Sequence, residues 1–402
     1  KRHAVLCRSH WLCPAAPKTM GRRRNGPRPR CADCEFVSDK KIIIFTTGFG
    51  DGHNSAARNI RDAFAQMPGF QAEVHDTYVE VNPGAAKVLQ VAYNLSIQRV
   101  PVTWKAFFHV FDKTPVFEAT LPTLGKLKAA IRALLLEKKP SAVVTTYPVY
   151  SYLLRELMES GEVATCPHCM VVTDSIVINR VWNRAPADWD LVANEPTSDA
   201  MAAAGVPREK IKVLGFPVSP RFEELARRPL AAGPPWRILY LPSASRRTVG
   251  KVVRGLTALK GVHLTVVTGR HRHLHDFLKK LDVPMSSFAL HGWTDRMPEL
   301  LAESHLFIGK AGGAIVQETL AIARPMIISH VVAGQEEGNV ELLADLGAGT
   351  LATTPEAIIE AVRAAMLEND GARWKRWREN LQRVSHPAAA RQTAEFIAGL
   401  AG

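Results

Sequence analysis

Two stretches of the chain carry the residue types that group-transfer chemistry needs. The first is TTGFGDGHNSAARNI, residues 46–60, which follows the apolar run KIIIF and sets Gly48, Gly50 and Gly52 just ahead of His53. A neutral imidazole can take a proton from a hydroxyl near neutral pH, and closely spaced glycines let backbone approach a substrate. The second is GKAGGAIVQETLA, residues 309–321, in which Gly312, Gly313 and Ala314 open a helix after an apolar strand. Backbone N–H groups and the positive helix end at such a turn hold an anion. Glu318, six residues past Gly312, can accept two hydrogen bonds from a ribose diol. The loop GQEEGN, residues 334–339, then presents Gln335, Glu336 and Asn339 after the next strand. That is the carboxyl edge at which open α/β sheets bind ligands.

The first glycine turn admits fewer ligands than it suggests. A mononucleotide P-loop ends in Lys followed by Ser or Thr, and here His53, Asn54 and Ser55 stand in that place. A dinucleotide fingerprint would read G-x-G-x-x-G, with Asp76 after the next strand as its ribose acid; the sequence gives G-x-G-x-G-H. The remaining alternatives are a helix-capping loop with an incidental histidine and a tight turn that brings substrate against His53.

The surrounding pattern supplies the frame. KIIIF, QAEVHDTYVE, SAVVTTY, CMVVTDS, DLVANE and IKVLGFP are short β-rich runs in the first half. WRILYLPS, HLTVVTGR, SFALHG, HLFIGK and PMIIS repeat the alternation in the second, with helical patterns between them. Such strands predict parallel sheets covered on both faces, hence an α/β chain of two Rossmann-like domains facing one another across a cleft. RRPLAAGPP reads as the linker between the halves. The expected layout is a basic, disordered tail at 1–39, a first domain at 40–222 and a second at 223–370. C-terminal helices at 371–402 are expected to pack back on the first domain, with Trp374, Trp377 and Leu381 on the docking face.

A hydrophobic content of 47% with 22% charged residues fits a globular protein, and no apolar run reaches the length of a spanning helix. Of the net charge of +13, residues 1–40 carry +7, and Met20 inside the tail is a candidate start. The remaining +6 favours anionic partners such as phosphates or acidic lipids. The pairs Cys31–Cys34 and Cys166–Cys169 have zinc spacing, but with Cys7 and Cys13 they read as reduced thiols. His271, His273 and His275 alternate at a spacing that shares no helix face, so they read as a solvated loop.

GFGDGHNSAA, GKAGGAIVQETLA and AGQEEGN, together with TTYPVYS, VVTDS and GFPVSPRF, resemble the monogalactosyldiacylglycerol synthase and processive diacylglycerol glucosyltransferase family, over roughly residues 41–365. The resemblance implies the GT-B fold and inverting transfer of a hexose from UDP-galactose or UDP-glucose to diacylglycerol. It further implies no cofactor or bound metal, no nucleic acid, and work at an anionic membrane surface on the cytoplasmic face. It makes His53 the general base beside an acceptor site with Gly50 and Gly52. Gly312 and Gly313 then face the diphosphate, Glu318 the ribose, and Gln335 and Glu336 the donor sugar. Two departures from the family pattern stand out. LPSASRRTVGK replaces a glycine-rich loop, so Ser243, Ser245, Arg246 and Arg247 are the candidates to hold phosphate there. TDSIVINRVW offers Asn179 and Trp182 where a histidine precedes the tryptophan in relatives.

Residues 87–113 recur at helical spacing until Pro101, after which Trp104, Phe107, Phe108 and Phe111 form an apolar face with Lys105, His109 and Lys113 away from it. This face suits either core packing or a bilayer interface meeting the lipid acceptor. Two other readings stay open: a UDP-sugar epimerase on the same architecture, and a non-catalytic lipid or nucleotide binder.

Overall fold

Each apolar run that ends at a glycine or polar turn becomes a parallel strand, and each amphipathic stretch after it becomes a covering helix. The computed structural model describes residues 39–48, 51–81, 83–84, 124–174, 178–332 and 336–402, all within the compact unit Asp39–Gly402. The first half runs β1 (Lys40–Phe45), α1 (Asp51–Phe64), β2 (Phe70–His75), α2 (Thr77–Val81) and α3 (Gly125–Lys138). It continues through β3 (Ala142–Thr145), α4 (Pro148–Glu159), β4 (His168–Val171), α5 (Arg180–Arg184), β5 (Trp189–Val192), α6 (Glu195–Ala203) and β6 (Ile211–Val213). Its six strands are ordered β2-β1-β3-β4-β5-β6 and pair in parallel.

After α7 (Arg221–Ala226), the second half opens with β7 (Trp236–Tyr240), α8 (Arg246–Thr257), β8 (Val262–Val267), α9 (Arg272–Lys279), β9 (Phe288–His291) and α10 (Met297–Glu303). It goes on through β10 (Leu306–Lys310), α11 (Gly313–Ala321), β11 (Met326–His330), α12 (Glu337–Asp345), β12 (Gly349–Leu351) and α13 (Pro355–Val362). This sheet is ordered β12-β11-β10-β7-β8-β9, again parallel throughout. Two further helices, α14 (Ala372–Gln382) and α15 (Ala389–Leu400), end the chain. Among the described residues no helix is long and apolar enough to cross a membrane.

The expected α/β architecture of two Rossmann-like halves is present, with three differences in detail. QAEVHDTYVE reads as one β-rich run, but the strand stops at His75. Asp76 Oδ1 accepts the Val79 N–H at 3.2 Å, and this cap turns the β-branched TYVEV into α2. β12, in GTL, escapes sequence reading because glycine gives no apolar signal. Gly349 is required there, since a methyl in its place would lie 2.2 Å from the Met326 carbonyl oxygen.

The third difference concerns the C-terminal helices, which do not act as one unit on the first domain. Trp374 is buried against Trp236 and His305 of the second half, and its indole N–H donates to the His305 carbonyl at 2.7 Å. α15 alone crosses over to pack on α1, with Ala390, Ala394 and Ile397 fully buried beside Ala57, Ile60 and Phe64. The ring size of Trp374 decides the split, because its aromatic cage exists only around β7 and His305. The linker is likewise fixed to the second half, where Leu230 is buried and the Ala231 carbonyl meets His305 Nε2 at 2.8 Å.

α1 also packs against α11. One continuous core therefore joins Ile42, Ile60 and Phe64 of the first half to Val316, Leu320 and Ile328 of the second. This helix pair brings the start of α1, which bears His53, toward the start of α11, which bears Gly313.

Candidate active site

His53 is the third residue of α1, at the carboxyl edge of the first sheet. Threonines at the ends of neighbouring strands hold that helix end. The Thr146 hydroxyl donates to Thr46 Oγ1 at 2.9 Å, and the Thr46 hydroxyl donates to Asn54 Oδ1 at 2.9 Å. The imidazole itself meets Thr173 Oγ1 through Nδ1 at 2.7 Å. Tyr147 lies edge-on to the ring at 5.2 Å, and Trp182 is tilted over it at 6.0 Å between centroids. Burial among these groups pushes the imidazole down to about 4, against a hydrogen bond to the Thr146 backbone that favours the charged form. His53 is thus neutral at physiological pH, as a proton acceptor must be.

The second turn is built with equal economy. Gly312 caps α11 without any side-chain hydrogen bond to the helix end. The Asn339 amide donates to the Ala311 carbonyl at 2.9 Å and so braces the turn from α12. Lys310 Nζ pairs with Glu336 Oε1 at 3.2 Å, while Glu336 Oε2 accepts the Val332 N–H at 2.9 Å. Glu318 lies one turn further into α11. It keeps an edge toward solvent, yet enclosure without a nearby cation raises its carboxyl to about 7.

The two turns meet. A methyl placed at Gly313 would have the Thr173 backbone carbonyl as its nearest neighbour, at 4.0 Å. Thr173 therefore touches His53 with its side chain and faces the start of α11 with its main chain. A basic imidazole on one wall and an anion-holding helix end on the other suit a displacement in which a nucleophile loses a proton as a phosphate leaves.

Comparison with known proteins agrees with this geometry. Residues 53–218 match the monogalactosyldiacylglycerol (MGDG) synthase family model, and residues 246–386 match the glycosyltransferase family 28 C-terminal domain. The chain belongs to this family of glycosyltransferases. Relatives include the processive diacylglycerol β-glucosyltransferase of Staphylococcus saprophyticus, 29% identical over 82% of this chain and 85% of the relative. That of Bacillus subtilis is 25% identical over 83% of this chain and 88% of the relative. In fold, the chain is similar to MurG of Acinetobacter baumannii, with a TM-score of 0.58, 16% identity and coverage of 90% and 99% of the two chains. It is also similar to the UDP-GlcNAc 2-epimerase of Neisseria meningitidis, with a TM-score of 0.55, 12% identity and coverage of 89% and 100%. The architecture is thus GT-B.

Within this glycosyltransferase frame the sequence-derived residues occupy distinct places. Gly52 lies inside the first turn of α1, and a methyl there would meet nothing within 4 Å, which leaves open space beside His53. Ala314 is the second residue of α11. Glu336 and Asn339 are both buried and already hydrogen-bonded within the protein, so they shape the turn in this structure instead of projecting freely. Ser243 and Arg246 are exposed at the start of α8, where the Ser245 hydroxyl accepts the Thr248 N–H at 3.3 Å. Gly50, Trp104, Phe107, Phe108 and Gln335 lie outside the described residues.

Asp76, the imitation of a ribose acid, is occupied as a brace: the backbone N–H groups of Val79 and Gly48 hydrogen-bond its carboxylate. Asn179 caps α5 by accepting the Val181 N–H at 2.9 Å, a structural use of the position where relatives carry histidine. Cys166 and Cys169 are free thiols, and among the described residues no His/Cys/Asp/Glu group could hold a metal. His271 precedes α9, and the alternating histidines that follow it lie on that helix. Sequence reading missed Thr173, Thr146, Tyr147, Asp174 and Lys310 as members of the site. The available signal was the polar TT and TD pairs ending β-rich runs at the same sheet edge. Asp174 Oδ2 accepts the Trp182 indole N–H at 2.8 Å, and burial raises this carboxyl to about 6.

Proposed function

We propose that this chain moves glucose or galactose from a UDP-sugar to the hydroxyl of diacylglycerol, with inversion at the anomeric carbon. The observation that carries the reading is the meeting of the His53 pocket and the α11 start across Thr173. On the α1 wall, neutral His53 takes the acceptor proton as its oxygen attacks. On the α11 wall, the helix end and Lys310 receive the charge that develops on the departing UDP, in the manner of a preorganised oxyanion site. Attack and departure from opposite walls is the geometry of a single inverting displacement, and in this scheme no metal is needed to carry the leaving charge. Glu318 is placed to accept the ribose hydroxyls. Diacylglycerol as acceptor is supported by the names of the relatives, and the net charge of +6 outside residues 1–40 favours an anionic cytoplasmic membrane surface.

Fold likeness alone does not separate transfer from epimerisation, because both activities occur among proteins similar in fold. The deciding experiment incubates the chain with labelled UDP-glucose or UDP-galactose and diacylglycerol liposomes. Labelled glycolipid is expected, and the better donor identifies the hexose. An isomerised UDP-sugar without glycolipid would replace this reading with an epimerase, and binding without turnover would leave a sensor.

A further inference from the structure

The Lys310–Glu336 pair has no role in the reading so far beyond adding charge, yet its placement is specific. Lys310 is the last residue of β10, and its side chain, 48% exposed, folds back over the turn it precedes. A methyl at Gly312 would come within 3.1 Å of Lys310 Cε and 3.6 Å of both Lys310 Nζ and Glu336 Oε1. The cation and the carboxylate therefore sit together at the first residue before α11. Glu336 is 7% exposed and anchored from behind, because Oε2 holds the Val332 N–H at 2.9 Å. One carboxylate oxygen is fixed by backbone, and the other is a detachable counter-ion for a side chain that reaches solvent.

We propose that a diphosphate exchanges for Glu336 on the Lys310 ammonium, so that Glu336 guards the anion position until a donor arrives. The inference rests on the UDP-sugar reading above and adds an order of events to it. A phosphate oxygen carries more charge than a carboxylate oxygen and also accepts the N–H groups that open α11, so it outcompetes Glu336 for Lys310. Glu336 keeps its bond to Val332 N–H and gains one free oxygen, which then accepts a hydroxyl of the hexose. Arrival of the diphosphate thus prepares the carboxylate that reads the sugar. A free anion too small to fill the turn meets the Lys310–Glu336 pair intact, which favours nucleoside diphosphates over inorganic phosphate.

Titration calorimetry of the whole chain with UDP, uridine and UDP-glucose tests the exchange. Lys310→Ala is expected to weaken UDP by ~10- to 100-fold while leaving uridine unchanged, since uridine lacks the phosphates. Glu336→Gln keeps an acceptor for Val332 N–H but removes the competing charge. It should tighten UDP by ~3- to 10-fold and shrink the preference for UDP-glucose over UDP. Equal UDP affinity in Lys310→Ala, or unchanged or weaker UDP binding in Glu336→Gln, overturns the exchange while the UDP-sugar reading stands. Absence of UDP binding by the unaltered chain overturns both.

Discussion

Thr173 Oγ1 lies 2.7 Å from His53 Nδ1, and the carbonyl of the same residue is the nearest neighbour of a methyl placed at Gly313. One residue thus sets the orientation of the base and marks its distance from the leaving-group wall. Thr173→Val keeps the volume and removes the hydroxyl, so the ring loses its anchor without a cavity. Turnover should fall ~10-fold with little change in UDP affinity, and Thr173→Ser should restore most of it. Equal rates for the valine and threonine forms would show that the hydroxyl does not orient the ring.

His53→Ala removes the proton acceptor from a pocket that otherwise retains its Thr46–Asn54 and Thr146 contacts. Glycolipid formation should drop by ~100- to 10,000-fold, with UDP binding preserved because the donor contacts lie on the other half. The acidic limb of kcat/KM belongs near pH 4, well below the ordinary histidine value of 6.5, because burial holds His53 neutral. Retained turnover in the alanine variant would assign the base elsewhere.

Gly215 marks the place where the two chain crossings between the halves touch. Its φ is +86°, and a methyl there would lie 2.6 Å from His386 Cβ and 2.9 Å from Ala389 Cβ. Gly215→Ala therefore combines left-handed strain with a clash at the start of α15. It is expected to destabilise the chain by about 2–4 kcal/mol in denaturant unfolding. His386→Gly in the same background should recover part of the loss by relieving the clash but not the strain.

Much of this arrangement is legible in sequence because strand and helix periodicity, and glycine turns at strand ends, are local signals. KIIIF and HLFIGK announce strands, while GDGH and KAGG announce helix starts close to a ligand. What is not legible depends on partners distant in the chain. Thr173 meets His53 from 120 residues away, and Lys310 meets Glu336 from 26 positions further along. The division of α14 from α15 likewise follows from a tryptophan cage assembled by Trp236, His305 and Trp374, which no periodicity within residues 371–402 reveals.

Asp190 is a buried acid outside the site, 4% exposed, with Oδ1 lacking a hydrogen-bond partner. Burial raises its carboxyl to about 7, partly offset by Lys210. The sign follows from linkage: the folded form ionises reluctantly, so the penalty is fully present above pH 7 and fades as pH falls toward the ordinary value of 3.8. Asp190→Asn should raise the unfolding temperature clearly at pH 8 and much less at pH 5. A gain independent of pH would mean that charge is not the cause.

Glu318 joins titration to recognition. Enclosure raises its carboxyl to about 7, so it is half-protonated near neutral pH and fully anionic only above that. A ribose diol donates two hydrogen bonds best to the anion, and protonation replaces one acceptor position with a donor. Uridine is the clean probe, since it carries no phosphate to titrate between pH 5 and 8. Its affinity should fall by ~10-fold as pH drops from 8 to 5, the expected loss for one charge-assisted hydrogen bond. Glu318→Gln cannot ionise, so its uridine affinity should be weaker at pH 8 and level across the range. If the two forms bound uridine alike at pH 8, the ribose would be held by another group, and the raised carboxyl would reflect enclosure alone.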